Sequence, residues 1–83
     1  MVTLLYFASV KEKLGIARET VELPAEVFDV ASLTSSLRSR GGAWPEAMGA
    51  TSLKVAVNHT MAAMNAPVSD GDEIAFFPPV TGG

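Results

Sequence analysis

One reactive group stands apart in this chain of 83 residues: the carboxylate of Gly83, at the end of Val80-Thr81-Gly82-Gly83. No charged side chain follows Glu73, so this carboxylate carries the only charge expected beyond residue 73. Two residues without Cβ make the tip thin and free in φ. The five residues after Pro78 span at most ~16–18 Å when extended. An end of that shape suits a narrow channel in another protein, where its carboxylate could be activated. A frayed terminus has the same composition, and the residues alone leave both readings open. The chain has no cysteine, which removes disulfides, thiolate metal sites and a thiol nucleophile. Any sulfur it carries must therefore sit on the terminal carboxylate, as a thiocarboxylate.

The other candidate groups have plainer readings. His59 is the only histidine; without cysteines or clustered carboxylates around it, it reads as a turn residue and not as a metal ligand or base. Asp70, Asp72 and Glu73 flank Gly71. A turn that opens a strand explains them without a cleft, and the spacing lacks the later glutamate of a calcium-binding loop. Gly41-Gly42 has neither the spacing nor the lysine of a phosphate loop and reads as a helix stop. No metal site is expected.

The elements that must position the tail follow from periodicity. Val2 to Ala8 alternates as a strand, with Val2, Leu4 and Tyr6 on one face and Thr3, Leu5 and Phe7 on the other. Ser9 with Glu12 fits a capping box for a short helix that Gly15 can stop. Arg18 to Leu23 reads as a second strand paired with the first, with Val21 and Leu23 inward. Asp29 is a good N-cap for a helix to about Arg40 whose stripe is Val30, Leu33 and Leu37. One helical turn is expected around Pro45 to Met48. Leu53 to Val57 is a strand, Asn58-His59-Thr60 a reversal, and Met61 to Met64 a short strand. In the last strand Ile74 and Phe76 point inward while Glu73, Ala75 and Phe77 point outward. Pro78-Pro79 ends it, since proline has no N–H for a ladder. Strands on both sides of one main helix with a single apolar stripe give an α+β domain, a mixed sheet with that helix packed on one face.

Asp70-Gly71-Asp72-Glu73, Ala75-Phe76-Phe77-Pro78-Pro79-Val80 and the final Gly82-Gly83 resemble the small-subunit family of molybdopterin synthase. These are ubiquitin-like sulfur carriers of molybdenum-cofactor biosynthesis. The resemblance is dense over the last fourteen residues and looser, in length and element order, from Val2 onward. It implies a β-grasp domain over residues 1–78 and an extended flexible diglycine tail over 79–83. It implies that an activating enzyme, using ATP and magnesium, adenylates Gly83, which is then thiocarboxylated. The large subunit of the synthase would receive the loaded tail, in a heterotetramer, for transfer of sulfur to cyclic pyranopterin monophosphate. Pro79, Val80, Thr81 and Gly82 would thread the channel. The chain itself would be a non-catalytic carrier without a bound cofactor. Relatives of similar build feed thiazole synthesis for thiamine, or modify proteins at lysines, and both remain alternatives.

In that fold the first and last strands are neighbours, which would bring Phe7 and Phe77 together away from the helix, with Met61 joining them. Exposed apolar residues on one sheet face form a docking surface. Formal charge is −3 and the hydrophobic fraction 48%, with a pI near 4.9. That balance excludes disorder and argues against nucleic-acid and anionic-membrane partners. No apolar run approaches a membrane span, and the N-terminus shows no secretory signal, so the cytoplasm is the expected compartment.

Overall fold

Val2, Leu4 and Tyr6 are buried and alternate with half-buried Thr3 and Leu5 in β1 (Val2–Tyr6), the first element of the computed structural model, which describes residues 1–79. There follow α1 (Ala8–Leu14), β2 (Arg18–Val21), α2 (Val30–Arg38), α3 (Trp44–Gly49), β3 (Lys54–Val57), β4 (Thr60–Ala62) and β5 (Glu73–Phe77). The sheet order is β2-β1-β5-β3-β4. β1 pairs antiparallel with β2 and parallel with β5, and β3 pairs antiparallel with β4 and β5. This is the expected α+β, β-grasp arrangement, with the last strand at the centre of a mixed sheet.

The main helix starts where the sequence placed it. The Asp29 carboxylate accepts from the Ser32 N–H (2.8 Å) and the Ser32 hydroxyl accepts from the Asp29 N–H (3.1 Å), a reciprocal capping box. Hydrogen bonding to the ionised form holds the Asp29 carboxyl below the usual range. Val30, Leu33 and Leu37 are buried against Val2, Leu4, Tyr6, Val55, Ile74 and Phe76 from the sheet. Gly15 ends α1 in the left-handed region (φ 77°), its N–H donating to the Lys11 carbonyl.

The start of α1 differs from expectation. Ser9 forms no cap; Phe7 is the N-cap, in extended conformation, without a side-chain hydrogen bond. The Phe7 N–H donates to the Phe76 carbonyl (3.1 Å) and its own carbonyl accepts from Val10 (3.1 Å). The ladder therefore holds the chain through Phe7, and the helix begins directly after it, too early for Ser9 to cap. β1 ends at Tyr6 and not Ala8, β2 at Val21 and not Leu23, and β4 at Ala62 and not Met64.

One polar network ties the connection after α2 to the first two strands. The buried Tyr6 hydroxyl donates to Glu19 (2.8 Å), and Arg40, just past α2, donates to the same carboxylate oxygen (2.7 Å). The Arg40 guanidinium lies 4.5 Å from the Trp44 ring centre, and Trp44 meets the Tyr6 ring edge-on at 5.5 Å. Burial works to raise the Glu19 pKa, but the hydrogen bonds from Arg40 and Tyr6 and the charge of Arg40 outweigh it and hold the carboxyl below its ordinary value. A depressed carboxylate stabilises the fold fully above its unfolded pKa, near 4.5 here, and that contribution is lost as pH falls below it. The melting temperature should therefore drop between pH 5 and 3 by more in the wild type than in Glu19→Gln, measured by Trp44 fluorescence. Parallel melting curves for the two would show that the network adds no pH-dependent stability.

Candidate functional site

Because β1 and β5 run parallel in register, Leu4 beside Ile74 and Tyr6 beside Phe76, they leave the sheet at the same end. Phe7 continues that register next to Phe77, through its hydrogen bond to the Phe76 carbonyl. Ile74 and Phe76 have no exposed surface, so the period of two sends Ala75 and Phe77 to the opposite face, as the sequence predicted. Phe7 is 48% exposed and Met61 60% exposed. Phe77 is half-buried and not fully exposed, with Lys54 as its register partner on β3.

The cross-strand register supplies residues that local reading did not single out for the site. Met61 pairs with Ala56, Ala56 with Ala75, and Ala75 with Leu5. These four form one apolar row across four strands, on the face away from α2, one step from Phe77. The two alanines keep the row low, leaving Met61 to stand out of it, with Phe7 standing beside Phe77 one step along. Alternation within Lys54–Val57 carries this information, but the row becomes visible only once the strand order is known.

At the strand exit Pro78 and Pro79 are half-buried. Pro78 borders a small cavity with Val10, Lys13, Ala47 and Leu53. The expected threading residues Val80, Thr81 and Gly82, and the expected reactive Gly83, lie outside the described residues. What the fold fixes is their point of departure: the end of the central strand, beside Phe7, Phe77 and Lys54.

His59, Asp72 and Glu73 are accounted for by turns at the other end of the sheet, and Gly41-Gly42 by a helix connection. Asn58 and His59 both have positive φ, 50° and 69°, and form the two-residue β3–β4 turn. Asp72 accepts from the Ser69 N–H and from the Asn58 amide, and the Asn58 side chain accepts from the Glu73 N–H. His59 lies 3.3 Å from Glu73 on the surface. Gly41 and Gly42, both with positive φ, carry the chain from α2 to α3. Among the described residues no three His, Asp or Glu side chains gather to hold a metal, and no helix is long and apolar enough to cross a membrane.

A family model described as the ThiS family matches residues 4–83. The molybdopterin synthase sulfur carrier subunit of Escherichia coli (strain K12) is 39% identical over 83 residues, covering all of both chains. Among solved structures, the complex of subunits 1 and 2 of the molybdopterin-converting factor from Helicobacter pylori matches with a TM-score of 0.66 and 26% identity, covering 99% of this chain and 97% of the matched one. The small archaeal modifier protein 1 of Haloferax volcanii matches with a TM-score of 0.68 and 26% identity, covering 95% and 97%.

Proposed function

The chain belongs to the ThiS family, and from that premise we propose that it is the sulfur-carrier subunit of a molybdopterin synthase, acting in the cytoplasm. The observation that carries this reading is a diglycine end launched from the central strand beside an apolar sheet face, in a chain alignable end to end with such a subunit. The carrier brings no catalytic group of its own. An ionised carboxylate is a poor electrophile, so an activating enzyme with ATP and magnesium would join Gly83 to AMP, releasing pyrophosphate. A sulfur nucleophile then displaces AMP, leaving the thiocarboxylate. With no cysteine in the chain, no side-chain thiol competes for this sulfur.

Docking and threading then divide the work. Phe7, Met61 and Phe77 seat the body on the partner, while Pro79, Val80, Thr81 and Gly82 pass the tail into the active site of the large subunit. There the thiocarboxylate gives its sulfur to cyclic pyranopterin monophosphate. Two carriers and two large subunits make the heterotetramer. The likeness to an archaeal modifier protein supports a second reading, in which Gly83 is joined to lysines of other proteins; a carrier for thiamine thiazole synthesis is a third. Intact mass of the protein isolated from cells tests the carrier class. A fraction heavier by the exchange of one oxygen for sulfur is expected. Its absence, with Gly83 found instead in isopeptide linkage, would favour the modifier.

A further inference from the structure

The cations of this acidic chain are unevenly placed. β1 and β5 end where β2 and β3 begin, so Arg18 and Lys54 stand at the same end of the sheet as Phe7 and Phe77. Lys11 and Lys13 follow on α1 at that end, and Lys13 borders the cavity beside Pro78. All four side chains are exposed. The acids nearby are mostly engaged: Glu46 with Lys13 (3.4 Å) and Glu19 with Arg40 (2.7 Å), leaving Glu12. The opposite end carries Glu22, Asp70, Asp72 and Glu73 and no lysine or arginine; its Met1 ammonium is paired with Asp70, and His59 lies against Glu73.

We infer that the partner surface receiving the tail is acidic around the mouth of its channel, and that Lys11, Arg18 and Lys54 steer the tail end of the carrier onto it. This rests on the carrier reading. The net charge of −3 would by itself repel an acidic partner. The segregation turns that repulsion into orientation: the acidic end is pushed away and the cationic end, with the tail, is drawn in. Steering of this kind raises association rates by ~10–1000-fold and is screened by salt. The apolar row then holds the docked body, and its contribution is not salt-sensitive in the same way.

The test is stopped-flow association with the isolated large subunit of molybdopterin synthase over a range of NaCl. The association rate should fall roughly tenfold from about 0.03 to 0.5 M salt while dissociation changes little. Lys11→Glu/Arg18→Glu/Lys54→Glu should slow association about tenfold or more at low salt and remove the slope. Glu22→Lys/Asp70→Lys, which shifts net charge the other way at the far end, should leave the rate within about twofold. Thermal melting of each variant checks the fold. A complex whose association rate is salt-independent or rises with salt overturns the inference and leaves the carrier reading standing. No complex at any salt overturns both.

Discussion

Extending the chain by one alanine beyond Gly83 is expected to abolish sulfur donation while leaving the melting temperature unchanged. The reactive group proposed for the carrier is its terminal carboxylate. Extension converts that of Gly83 into a peptide carbonyl, which cannot be joined to AMP, and moves a new carboxylate ~3.5 Å further along the tail. On the carrier reading the new end also bears a Cβ, which a channel shaped for glycine would not admit. The strands are left as they are, because the sheet ends at Phe77, well before the added residue. Single-turnover transfer in a synthase reconstituted from the extended carrier and the large subunit reads the result. Undiminished turnover would remove Gly83 from the chemistry.

The second large effect separates body from tail. Phe76 has no exposed surface and stacks on Tyr6 with ring centres 5.7 Å apart. Phe76→Ala should cost ~3–5 kcal/mol of stability, as large-to-small changes at buried aromatics do. For a domain of this size that is most of the total. Phe77, one residue on, faces the other way. Phe77→Ala should weaken binding to the large subunit and to the activating enzyme by ~2 kcal/mol, or roughly thirtyfold, the usual loss for a central aromatic anchor. The melting temperature should change far less than in Phe76→Ala. Thermal unfolding and partner titration of both variants decide it. The reverse pattern would mean that the docking face is the other face of the sheet.

The last strand was legible because its signals are local. Alternation over Ile74–Phe77 and two prolines after it fix both faces and the stop. Asp29 and Gly15 were legible for the same reason, each needing only neighbours within a few residues. Ser9 misled because a capping box is also a local pattern, whereas the true helix start is set by Phe76, far along the chain, holding the Phe7 amide. The Tyr6–Glu19–Arg40–Trp44 network was not legible at all. Its members come from two strands, the α2–α3 connection and the start of α3, and meet only once β1 and β2 are paired. Parity placed Phe7 and Phe77 together, but the half-burial of Phe77 depends on what surrounds it on β3 and β1. The apolar row of Met61, Ala56, Ala75 and Leu5 likewise needed the strand order.

The central position of β5 also bears on when the protein becomes competent. β5 is the last strand made, yet it is the one that joins β1–β2 to β3–β4. A nascent chain released short of residue 73 has two separate ribbons and no continuous sheet. Its core aromatic Phe76 is missing, and it faces the slow, long-range closure typical of sheets whose partners are distant in sequence. Folding is thus completed by the same segment that bears the diglycine end. On the carrier reading, a chain cut before β5 therefore loses the closed sheet and the end to be loaded in a single step.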